Sequence, residues 1–158
     1  MTDEALLLTA ALLRERRVLT VGLVVGGAPV LGLLPFVLTD EATLLVHGSR
    51  LARHSRALAA GGMAAVLVHE PDVPGVDPLQ VPRLSLEVET SVLEKTGEAF
   101  SRGRSVYLAR FPEGEVTFSL PDFQLFALRA CSGRLVAGFG RAWDVSREEL
   151  LRACGNGG

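Results

Sequence analysis

Apolar residues along this chain fall in short bursts, and the spacing inside each burst separates strands from helices. Val18 to Val25 is rich in β-branched residues and runs into Gly26-Gly27-Ala28-Pro29, a turn signal, after which Val30 to Leu38 reads as the returning strand of a hairpin. Thr39-Asp40-Glu41-Ala42 makes a second short turn into a third strand, Thr43 to His47. Three strands in succession leave no room for a crossover helix. A parallel, doubly wound sheet is thereby excluded, because parallel neighbours need connections of about a dozen residues or more.

The pattern then changes period. Leu51 to Ala60 has helical spacing, with Ser49 placed to cap it and Gly61-Gly62 to stop it. Met63 to His69 is a fourth strand. Glu70 to Pro82 holds four prolines, one glycine and three acidic residues, the composition of a long exposed loop. In Arg83 to Leu93, Leu84, Leu86 and Val88 alternate with Ser85, Glu87 and Glu89, so one face is wet. Gly97 to Phe111 is helical through Phe100, Tyr107, Leu108 and Phe111, and Pro112 ends it. Phe123 to Arg129 and Arg134 to Gly138 read as a last hairpin turning at Cys131-Ser132-Gly133, followed by a terminal helix, Val145 to Ala153. Ala5 to Leu13 is an amphipathic helix expected to close one end of a barrel. The sum predicts a mainly β protein with flanking helices, a six- to seven-stranded antiparallel barrel. One domain is expected across residues 1–158, with 1–17 as an N-terminal helix and 155–158 as a disordered tail.

Composition narrows the partners. The 158 residues carry a formal net charge of −2, which gives no global basic field and argues against nucleic acid. Only Arg50 to Arg56 clusters cations. Two cysteines, Cys131 and Cys154, without a Cys-x-x-Cys spacing suit a reduced, cytoplasmic setting. No apolar run reaches the roughly 20 residues of a membrane span, so no membrane partner is expected. A mean hydropathy of +0.32 suggests more apolar surface than one core absorbs, and so a homodimer.

The richest chemistry lies in Ser49-Arg-Leu-Ala-Arg-His-Ser-Arg-Ala-Leu58, a cationic helix start directly after a strand. Guanidinium, imidazolium, hydroxyl and free helix N–H groups are the donors that hold a phosphate, and Ser49, Arg53, His54, Ser55 and Arg56 supply them. A solvated basic helix face is the plain alternative. Together with the Gly-Phe-Gly-Arg loop at 138–141, this stretch resembles the flavin-binding split-barrel superfamily, nearest its haem-utilisation branch and more distantly pyridoxamine 5'-phosphate oxidase. The likeness runs from about Val18 to Val145.

The resemblance implies a split-barrel homodimer that holds FMN, with an oxidoreductase reaction on an unidentified substrate. It puts Arg53, His54 and Arg56 on the cationic phosphate positions, and Leu58 and Ala57 on a Leu and an Asn of the motif. It also implies flavin-ring contacts from the strand Leu33, Leu34, Pro35 and Phe36, which reads as covered on both faces and broken at Pro35. Gly32 and Val37 stand where the oxidases carry cations, which leaves the phosphate to the helix. Arg83 falls where a polar residue reaches the ring edge, and Phe139 and Arg141 fall on the signature loop of the haem branch. In that branch a longer chain adds a C-terminal domain, which is not expected here. Haem is the less favoured cofactor, because no histidine follows His69. A non-catalytic dimeric barrel is a third reading. No histidine pairs with a carboxylate at metal-ligand spacing, and no Gly-x-Ser-x-Gly elbow occurs, so neither a metal site nor a catalytic side chain is assigned.

Overall fold

A computed structural model describes residues 1–155. Seven strands, β1 (Val18–Val25), β2 (Ala28–Leu38), β3 (Thr43–Ser49), β4 (Gly62–His69), β5 (Arg83–Leu93), β6 (Phe123–Val136) and β7 (Ala142–Ser146), pair antiparallel in the order β3-β2-β1-β4-β5-β6-β7. A further β3–β6 ladder, from Thr43 opposite Arg129 to Ser49 opposite Phe123, closes β1 to β6 into a barrel. Closure leaves β7 as the one strand outside the ring. The helices are α1 (Asp3–Glu15), α2 (Arg53–Ala59), α3 (Glu98–Arg110), α4 (Glu115–Phe118) and α5 (Arg147–Gly155).

Alternation fills the barrel. Leu19, Val21, Leu34, Phe36, Leu44, Val46, Val66, Leu84, Leu86, Phe126 and Leu128 point inward, and α1 and α2 close it with Ala5, Leu12, Leu13 and Leu58. A second, smaller core lies on the outer side of β3 and β6, where α3 lays Tyr107 and Phe111 over Val37, Leu45 and Leu125. None of the five helices is long and apolar enough to cross a membrane.

Several expectations change. β6 is one continuous 14-residue strand with no turn at Cys131-Ser132-Gly133, so Cys131 is a strand residue. The hairpin turn lies later, where Gly138 and Gly140 adopt positive φ angles of 122° and 75°. Residues 142–146 are therefore strand, and the terminal helix starts at Arg147 and takes in Gly155. The rest of the expected tail, 156–158, lies outside the described residues. β2 is covered on both faces only toward its end, where Phe36 is buried inward and Val37 outward; before that, Val30 and Leu34 are buried while Leu31 and Leu33 are 73% and 67% exposed. Pro35 ends the β1–β2 ladder opposite Val18, and the β2–β3 ladder starts one residue on at Phe36. The missing N–H falls at that hand-over between ladders.

Candidate functional site

The turn after β3 is tied down at its first residue. Ser49 Oγ donates to Asp122 Oδ2 at 2.7 Å and accepts from the Leu51 N–H at 3.2 Å, while the Arg50 N–H donates to the Asp122 carbonyl at 2.7 Å. The hydroxyl expected to cap the helix is thus engaged with the start of β6. α2 opens instead at Ala52, with no side-chain cap, and runs for seven residues. Its inward side is closed. Ser55 Oγ is fully buried without a hydrogen-bond partner, pressed against Gly48, where a Cβ would fall 2.7 Å from it. Ser55 is therefore not available to a ligand at the surface.

His54 occupies the space that β2 leaves open at Gly32. A Cβ on Gly32 would lie 2.6 Å from the imidazole Cγ, so the glycine is what lets the ring pack on the strand. Burial holds the His54 pKa below its usual value and favours the neutral ring. Arg50, Arg53 and Arg56 follow one another at a spacing of three and are exposed. Among the described residues, no carboxylate pairs with any of them. Of the expected phosphate grip, Ser49 is engaged, Ser55 is enclosed and His54 is biased to neutral, which leaves an unpaired arginine strip.

α2 packs against β2, and the outer side of that strand is apolar. The β2–β3 ladder runs from Phe36 opposite Val46 to Leu38 opposite Leu44 and stops short of Leu33 and Ser49. Leu33 faces Thr20 of β1, which faces Leu67 of β4, and Leu31 faces Gly22, which faces Ala65. These rows make an apolar sheet face, extended by the exposed Val18, Val24 and Met63.

On the same outward side of β3, His47 is 94% buried, being 6% exposed. Its ring stacks on Phe118 at 3.8 Å, with Tyr107 edge-on at 5.7 Å and Phe123 at 5.2 Å. A cavity of about 280 Å³ adjoins it, lined also by Pro35, Phe111, Glu113, Gly114 and Thr117. Desolvation first, and then the charge of Lys95, lowers the His47 pKa to about 4. The residues that build this enclosure from 112 to 118 carried no sequence signal, because α4 is a four-residue helix with no apolar period to read.

Three expected site residues stand elsewhere. Arg83 donates to the carbonyls of Leu79 and Val81, holding down the proline-rich loop rather than reaching toward α2. Arg141 pairs with Glu4 of α1 at 2.7 Å and lies over Trp143. Phe139 is 80% exposed at the tip of the β6–β7 turn. Leu34 and Phe36 are buried inside the barrel, so Leu33 and Pro35 are the members of their group that face outward. Among the described residues, no cluster of three or more potential ligands would hold a metal ion.

No family model matches the chain. Heme oxygenase HutZ of Vibrio cholerae serotype O1 is 29% identical over 142 residues, which are 87% of this chain and 79% of that protein. The solved structure of HutZ, the heme storage protein from Vibrio cholerae, matches with a TM-score of 0.67 at 28% identity over 73% of this chain and 82% of that one. A heme binding protein from Mycobacterium smegmatis gives a TM-score of 0.84 at 22% identity over 96% of this chain, which spans 62% of it. A Clostridium acetobutylicum protein of the pyridoxinephosphate oxidase family gives 0.70 at 13% identity over 95% and 99% of the two chains, a likeness of fold alone. A closed six-stranded barrel with a seventh strand and capping helices, shared with these proteins, defines the class: the chain belongs to the split-barrel superfamily of pyridoxamine 5'-phosphate oxidase. Within it, the chain stands on the haem-utilisation branch, with HutZ.

Proposed function

We propose that the protein is a haem-binding member of its branch, with haem lying along the outward side of β2 and its propionates at Arg50, Arg53 and Arg56. The observation that carries this reading is a set of unpaired, exposed arginines at the start of α2, a helix that packs on a strand with an exposed apolar face. A porphyrin is an apolar plate with two carboxylates, and each half finds its complement there. His54 packs at Gly32, on the face of β2 that carries the inward Leu34 and Phe36, so it stands across the strand from this haem and is not assigned as its ligand. Bound haem would supply iron-centred redox chemistry; the chain's own residues bind, orient and shield it. The names of the relatives, a heme oxygenase and heme-binding and heme-storage proteins, support the same class of ligand. A second copy of the chain covering the sheet face would place the haem in the seam between them.

FMN is the second reading, because a flavin phosphate would use the same arginines. It is weaker here, since the phosphate needs several donors converging on one point and Ser49 is already bonded to Asp122.

The test is titration of the purified protein with hemin, FMN and riboflavin. Hemin is expected to reach a one-to-one endpoint with a sharp Soret band. Arg53→Ala with Arg56→Ala should weaken it about 10- to 100-fold, the scale of losing two charge-assisted contacts. Protein that carries a flavin spectrum and refuses hemin overturns the reading, as does a hemin endpoint indifferent to the arginine variant.

A further inference from the structure

The cavity beside His47, about 280 Å³, is too small for haem. Its chemistry follows from one hydroxyl proton. Thr117 Oγ1 donates to the Gly114 carbonyl at 2.9 Å and also lies 3.2 Å from His47 Nδ1. A threonine hydroxyl has a single proton to give. With that proton on Gly114, Nδ1 must be the donor to Thr117, a tautomer assigned from the hydrogen-bond network. Nε2 then carries the lone pair, and it has no hydrogen-bond partner among the described residues. Unlike Ser55 Oγ, it is not sealed off from the adjoining space. A 94% buried ring therefore presents an unanswered acceptor at a cavity walled by Pro35, Tyr107, Phe111 and Phe123.

We propose that this cavity binds a small planar aromatic molecule carrying one N–H or O–H donor, a phenol or an indole, which hydrogen-bonds to His47 Nε2. The walls select for flatness: aromatic side chains gain most from a ring stacked or set edge-on against them. The volume, about 280 Å³, is at the low end for ligand pockets and admits one ring or two fused rings. The polar groups select for a donor. Nε2 accepts, and Glu113 on the wall accepts as well, while Lys95, whose charge reaches His47, gives its ammonium to the Pro121 carbonyl. Arg17 at the edge is already 3.7 Å from Glu113 and lies over the Phe111 ring. The low basicity of His47 keeps the acceptor unprotonated across the neutral range.

The experiment compares indole with benzofuran, which has the same shape and no donor, by amide-resolved NMR titration of the full chain with its histidines labelled in nitrogen-15. The native protein should bind indole at one site, with the largest shifts at Gly114, Thr117 and Phe123. Indole should displace the unprotonated Nε2 resonance of His47, and benzofuran should bind about tenfold or more weakly, the scale of one hydrogen bond to a buried acceptor. His47→Phe keeps the stack on Phe118 and should abolish the preference between the two ligands. Equal affinity for indole and benzofuran, or no shift at these residues at millimolar indole, overturns the proposal. Should His47→Phe fail to fold, the tautomer decides on the native protein alone: a proton on Nε2 overturns the proposal, and a bare Nε2 that shifts with indole but not with benzofuran supports it.

Discussion

At Gly32 the strand has no side chain, and the imidazole of His54 stands where one would be. This close approach explains why the cation that the oxidases carry on this strand is missing: an arginine there and His54 exclude each other. Gly32→Ala should expel the ring and cost about 1–3 kcal/mol in urea unfolding, the range for overpacking. The same substitution placed in His54→Ala should cost far less, because the obstructing ring is gone. Equal costs in both backgrounds would show that the ring does not occupy that space. His47 gives the pH dependence. Its folded pKa of about 4 lies below the ordinary 6.5, so above pH 6.5 the ring is neutral in both states and contributes no slope. Between pH 6.5 and 4 the unfolded chain takes up a proton that the folded one refuses, so stability falls with falling pH, by about 3 kcal/mol over the window. His47→Phe should flatten that decline in thermal melts, and the remaining slope, to which His54 contributes in the same direction, should persist.

Elements were legible where their signals are local. The first hairpin, the alternation of β5 and the apolar side of α3 follow from period and turn residues. Gly133 was not, because the glycine that reads as a turn serves instead a close passage of β6 over β5: a Cβ would lie 2.8 Å from both Leu86 Cδ2 and the Ser85 carbonyl. A register shift at Glu87/Val88 sits in the same ladder. Ser49 misleads for a similar reason. Its oxygen accepts from the Leu51 N–H in the turn rather than from α2, and its proton goes to Asp122, 73 positions away, so the hydroxyl pins the turn to β6 instead of capping the helix. Long-range bonds of this kind also hold α1, whose last carbonyls at Arg14 and Arg16 accept from Arg110 at 2.8 and 2.9 Å. Those carbonyls have no partner within the helix. Arg110→Met keeps the aliphatic stem and removes the donors, so it should destabilise the protein by about 1–3 kcal/mol and speed amide exchange in α1 ahead of the barrel strands. Exchange that rises uniformly across the chain would refute a local clamp.

On the scale of the whole molecule, the inward and outward faces of one sheet do different work. The inward residues of β1, β2 and β4 fill the barrel, while Leu31, Leu33, Val24, Met63 and Leu67 leave apolar side chains on the outside, in register across three strands. A face of this kind on a closed barrel has no unpaired edge to extend, so it is covered by packing rather than by adding a strand. Two-fold pairing of identical faces is the commonest way to cover it. The expected outcome is a species of twice the 16.8 kDa chain mass in sedimentation at low micromolar concentration. Leu31→Glu with Leu33→Glu should give a folded monomer, since both side chains are exposed in the single chain and neither supports the core. Hemin affinity should drop in the same variant, because the apolar half of the proposed site is the face that the substitution charges. A parent protein that sediments as one chain would overturn the pairing, and a double variant that remains paired would place the contact elsewhere; a folded monomeric variant that still takes up hemin one-to-one would separate haem binding from the seam.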